Sequence, residues 1–109
     1  MVSGYNNSKV IKEILAKGKE VLPHGAHLWL YGSRARGDAK DDSDWDLLIL
    51  LDKPEIEYED YGKMAYPFVR LGWDLGEMIS AQTYTLNYWK EYPFLPFVKN
   101  VERDKVILI

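Results

Sequence analysis

Apolar residues recur at Val10, Ile11, Ile14, Leu15, Val21 and Leu22, a spacing that gives one buried helical stripe. Lys9, Lys12, Glu13, Lys17 and Lys19 fall on the opposite, solvated face. Asn7 or Ser8 can cap this helix, and Pro23 with Gly25 ends it. His27-Leu28-Trp29-Leu30-Tyr31 reads as a short buried strand stopped by Gly32. Ser33 to Ala39 is small and polar, suited to a turn or a short helix, and Asp41-Asp42 to a loop. Trp45 to Leu51 predicts a second strand, its nearly continuous apolar run fitting a central position covered on both faces.

Beyond Asp52-Lys53-Pro54, the residues Tyr61, Met64, Ala65, Phe68 and Val69 keep helical spacing from Tyr58 to Leu71. Pro67 conflicts with a helix interior and predicts a kink or an earlier end. Trp73 to Ile79 is the expected third strand, weakened by Gly72 and Gly76. Thr83 or Thr85 can cap a short helix through Trp89-Lys90. Pro93 to Val101 is turn-rich with one helical turn, and Val106 to Ile109 forms a last apolar strand. That order predicts a compact α+β (or α/β) fold, taken as a single domain over residues 1–109.

Composition narrows the function classes. A chain of 109 residues with 47% hydrophobic and 28% charged positions is globular rather than disordered. The absence of cysteine excludes disulfides, thiol nucleophiles and Cys-ligated zinc, and fits a cytoplasmic setting. The longest apolar run, Leu47 to Leu51, is far short of a membrane span, and Met1 to Asn7 lacks signal-peptide character. A net charge of −3 gives no overall field for nucleic acid. Positive charge is local instead, with Arg34, Arg36 and Lys40 just ahead of an acidic cluster.

That junction carries the chemistry. Gly32 follows a strand directly, where a residue without Cβ lets backbone amides approach an anion, and Ser33 adds a hydroxyl. Arg36 can make a charge-assisted contact to a phosphate oxygen, while Arg34 suits a surface or ion-pair role. Asp44 and Asp46 stand two apart at a strand start, so both side chains project from one face. Two such carboxylates repel each other, and a divalent cation of the magnesium type relieves that repulsion. Magnesium completes its shell with substrate phosphates. A phosphate turn just ahead of a carboxylate pair therefore describes a site for a metal–nucleoside triphosphate.

Gly32-Ser33-Arg34-Ala35-Arg36-Gly37 followed, after six residues, by Asp44-Trp45-Asp46-Leu47 resembles the signature of the polymerase-beta-like nucleotidyltransferases, and among them the minimal nucleotidyltransferases. The resemblance implies a mixed sheet flanked by helices and a two-magnesium site that transfers a nucleotidyl group to an acceptor hydroxyl. It places the triphosphate tail of ATP, the favoured nucleotide, at Gly32, Ser33 and Arg36, and both metals at Asp44 and Asp46. The family adds a third carboxylate from a neighbouring strand; Asp74, between apolar neighbours, best fits that habit, with Glu77 the other candidate if a bulge at Gly76 turns it. Chains of this kind are often paired with a small helical partner of the HEPN type, which they bind or modify with AMP on a tyrosine. The alternative is a nucleotide- and partner-binding, antitoxin-like module with little catalysis. The acceptor and association with a second copy stay open.

Overall fold

The computed structural model describes residues 2–109, with side chains described from residue 8 onward. Helix α1 (Val2–Val21) leads to strand β1 (His27–Tyr31), a one-turn helix α2 (Ser33–Arg36) and strand β2 (Trp45–Leu51). Then come α3 (Tyr58–Asp60), a π-helical turn (Tyr61–Ala65), α4 (Tyr66–Leu75) and strand β3 (Ile79–Thr85). Helices α5 (Leu86–Glu91) and α6 (Pro96–Asp104) and strand β4 (Val106–Ile107) complete the chain. The strands form one mixed sheet in the order β3-β2-β1-β4. β2 runs antiparallel to β1 and parallel to β3, while β4 pairs antiparallel with β1. This is the expected α+β arrangement of a mixed sheet flanked by helices.

Alternation along β2 divides the core in two. Trp45, Leu47, Ile49 and Leu51 pack with Val10, Ile14, Ala65 and Phe68 beneath α1 and α4. Leu48 and Leu50 pack with Trp29, Trp89, Val98 and Val101 beneath α5 and α6. Leu47 to Leu51 are all at most 1% exposed, so β2 is covered on both faces as its unbroken apolar run requires. Asp46 shares parity with Leu48 and Leu50, which puts it on the α5/α6 side of the sheet.

The largest departure from the sequence reading concerns residues 73–79. Trp73, Asp74 and Leu75 are the last turn of α4, and β3 begins only at Ile79. Gly76, the proposed site of a bulge, is instead the left-handed residue that ends α4, with φ 73° and its N–H on the carbonyls of Gly72 and Trp73. Pro67 sits in the first turn of α4, directly after the π-helical turn, where the Tyr66 N–H reaches back to the Tyr61 carbonyl and the helical backbone runs on past a residue without an N–H. Gly72 lets α4 lie against the start of β3: a Cβ there would fall 2.7 Å from the Glu77 carbonyl oxygen.

Smaller differences lie at the ends. The backbone of α1 is helical from Val2, ahead of Ser8; the proposed cap Asn7 has a side chain outside the described residues. Thr85 caps α5 by accepting from the Tyr88 N–H at 3.0 Å. The segment read as turn-rich holds the nine-residue amphipathic helix α6, whose Val98 and Val101 are buried. β4 itself is shorter than predicted, with Trp29 opposite Ile107 and Leu30 opposite Val106, although Leu108 and Ile109 still exchange backbone hydrogen bonds with Leu28. No helix among the described residues is long and apolar enough to cross a membrane.

Candidate active site

Tyr31, the last residue of β1, faces Asp46 across the antiparallel ladder, so the turn after β1 lands beside the acidic start of β2. Gly32 there has φ 76° and ψ −159°, a region essentially confined to glycine. A Cβ on Gly32 would also collide with the Asp46 Oδ2. Glycine is thus required twice, by the backbone and by the carboxylate against it. The Gly32 carbonyl accepts the N–H groups of Ala35 and Arg36, folding Ser33 to Arg36 into a single helical turn. Ser33 is partly buried and Arg36 exposed.

Asp44 is exposed and Asp46 half-buried. Burial raises the Asp46 pKa above the ordinary carboxylate value, and the charge of Asp44 pushes it the same way; Arg36 partly opposes both. A half-buried carboxylate with a like charge beside it and a glycine turn against it fits a divalent cation's donor set. Asp44 and Asp46 would hold such an ion, which would neutralise charge on a bound phosphate.

Arg34 organises the approach to this pair. Its side chain is only 4% exposed and lies 4.6 Å above the Trp45 ring. Its Nη2 donates to the carbonyls of Ser43 at 2.9 Å and Asp41 at 3.2 Å, pinning the loop that delivers Asp44. Glu77 completes the clamp, 3.8 Å from Arg34 and accepting from the Trp45 Nε1 at 2.9 Å. Sequence reasoning assigned Arg34 to an ion pair but missed its hold on the loop. The i, i+2 spacing of Arg34 and Arg36 offered the one signal, since it sends two like residues to different tasks on a single turn.

Tyr31 is a second residue that the sequence did not single out. Burial, reinforced by Asp46 and Tyr84, pushes its hydroxyl up to about 12, so it stays protonated as a donor near Asp46. Its ring packs edge-on against Phe97 at the start of α6.

The structure brings Gly32, Ser33, Asp44 and Asp46 together, with Arg36 close enough to act on Asp46. It does not bring Asp74 or Glu77 to them. Asp74 is exposed on α4 beside Lys17, Tyr66 and Arg70, on a helix that covers the other face of the sheet. Glu77 precedes β3 and turns to Trp45, also on that other face. Beside Asp46 on β3 stands Ser80, with Gln82 next on the same face. Among the described residues, no group of three or more His, Cys, Asp or Glu is placed to hold a metal.

A family model described as a nucleotidyltransferase domain matches residues 8–108. No curated protein matches the sequence. Among solved structures, one described as "Crystal structure of the toxin-antitoxin with AMP-PNP" superposes with a TM-score of 0.63 at 15% identity. The match covers 91% of this chain and 72% of that one, and at this identity it shows a shared fold.

Proposed function

Since the chain belongs to the nucleotidyltransferase domain family, we propose that it binds magnesium–ATP and transfers AMP to a hydroxyl presented by a protein partner. The observation that carries this reading is the contact between Gly32 and Asp46, which joins the phosphate turn to the carboxylate pair. Nucleotidyltransferase domains use divalent metals, and Asp44 and Asp46 are the residues that would hold them here. Gly32 and Ser33 receive the triphosphate tail, assisted by Arg36. In the transfer, the acceptor oxygen bonds to the α-phosphorus and the bond from that phosphorus to the α,β-bridging oxygen breaks. Pyrophosphate leaves, and the hydroxyl proton passes to solvent. The chain contributes mainly position and charge neutralisation.

The absence of an acid at Ser80 and Gln82 on β3 bears on how much of this the chain does alone. We assign no metal-ligand role to Asp74 or Glu77. A centre with only two carboxylates binds a metal–nucleotide well and supports a second metal poorly. A partner then supplies the acceptor, a tyrosine hydroxyl on a helical partner of the HEPN type. The shared fold with a toxin–antitoxin structure described with AMP-PNP supports an adenine nucleotide and a protein partner.

The same β3 observation favours a second reading, a nucleotide- and partner-binding module with little catalysis. Incubating the chain with α-labelled ATP, magnesium and its co-purified partner separates the two. Label on the partner, lost in Asp46→Asn, supports transfer. Saturable Mg–ATP binding without label supports the binding module, and no Mg–ATP binding in either setting removes both.

A further inference from the structure

Arg36 is held by two carboxylates in this structure. Its Nε donates to Asp38 Oδ2 and its Nη1 to Asp104 Oδ2, each at 3.2 Å. Asp38 is a near neighbour in the same turn, but Asp104 lies 68 residues away as the last residue of α6. An acid at a helix C-terminus sits against the negative end of the dipole, an unfavourable place without cations. Asp104 has two: Arg36, and Arg103, whose Nε and Nη2 donate to it at 2.9 and 3.0 Å. Its side chain is 8% exposed, so the pair ties the phosphate turn to the end of α6.

The guanidinium geometry sets that tie in competition with a bound phosphate. Arginine offers a planar fork with two outward edges, and a bidentate phosphate contact needs both N–H groups of one edge. Here the Nε edge is shared with Asp38 and the Nη1 edge with Asp104. A triphosphate gripping either edge of Arg36 by two bonds competes with the carboxylate already held there. Asp104 can leave Arg36 and still keep a charge partner, because Arg103 continues to satisfy it.

We propose that Asp104 competes with the triphosphate tail for Arg36, so that Mg–ATP binding is coupled to the C-terminal turn of α6. The proposal rests on the reading that Arg36 contacts the tail. Asp104 thereby acts as a positioning residue that biases the site between nucleotides with and without a tail. The consequence spreads through α6. Glu102 accepts from the Trp89 Nε1 at 2.7 Å, and the Lys105 Nζ lies 4.0 Å above the Trp29 ring. Release of Asp104 therefore reaches the second core through Lys105, next to it in sequence, and Glu102, two residues before it.

The test is a titration of the full chain with Mg–ATP and Mg–AMP, read by calorimetry and by the indole N–H resonances of its four tryptophans, Trp89 being identified by Trp89→Phe. Mg–ATP should move the Trp89 resonance and Mg–AMP should not. Asp104→Asn should bind Mg–ATP about two- to fivefold more tightly, the range expected when one competing ion pair with a solvated arginine is removed. Its AMP affinity should be unchanged, and its Trp89 resonance should start displaced toward the ATP-bound position. A wild type that binds Mg–ATP with Trp89 unmoved overturns the coupling, whatever the variant's stability. Equal or weaker ATP binding by a folded Asp104→Asn also overturns it, while leaving the metal–nucleotide reading intact. A wild type that binds no Mg–ATP removes that reading and the coupling with it.

Discussion

Asp46 on β2 and Ser80 on β3 are register partners in the parallel half of the sheet, and Ser80 has no charge to offer a metal. Adding one tests whether the missing carboxylate is what limits the centre. Ser80→Asp should bind Mn²⁺ about tenfold more tightly than wild type, equivalent to roughly 1.4 kcal/mol. Titration followed by electron paramagnetic resonance would read this directly. An unchanged affinity would mean that position 80 does not face the metal.

Removing the existing carboxylates should do the opposite. Asp44→Asn with Asp46→Asn should abolish Mg–ATP binding by calorimetry while leaving the fold intact. Because folding raises the Asp46 pKa, the native state binds more protons than the unfolded chain between the two values. Stability from this group therefore falls as pH rises through that window, and the full penalty is present above it. The double variant should lose this slope and be at least as stable as wild type at neutral pH, as measured by urea unfolding. Saturating magnesium should lower the Asp46 pKa in wild type.

Gly32→Ala combines a forbidden backbone with a side-chain collision. The φ of 76° and ψ of −159° alone cost a residue with Cβ roughly 1–3 kcal/mol, and the new methyl meets the Asp46 Oδ2. Denaturant unfolding should show a loss of at least that size, accompanied by weaker Mg–ATP binding. A neutral substitution would contradict the turn geometry.

Arg34→Ala should act through position rather than contact. It removes the donors that pin the carbonyls of Asp41 and Ser43 and leaves Glu77 without its cation. A stability loss on the order of 2–4 kcal/mol is expected from breaking a nearly buried charged network. Arg34→Lys should recover little, because one ammonium cannot span the contacts of a fork. Hydrogen exchange at residues 41–44 should accelerate in both variants.

The sequence by itself determined the parts of this protein that are local. The stripe of α1, strands β1 and β2, and the Gly32-Ser33 turn ahead of Asp44 and Asp46 all follow from periodicity and from residues with narrow conformational choices. Such signals need only neighbours in the chain, which is also why the glycine turn and the carboxylate pair were legible as a unit. What tertiary structure decided is where β3 begins and which side chains meet across long gaps. Trp73, Asp74 and Leu75 have a strand-like pattern, yet α4 keeps them because Gly72 and Gly76 allow close packing and a left-handed end, features that a propensity argument counts against any element. That shift of a few residues moved Asp74 to a helix on the far face and set Ser80, not an acid, beside Asp46. The pairing of Arg36 with Asp104 was equally beyond local reading, since nothing in either segment fixes a contact that only the packing of α6 on the sheet creates.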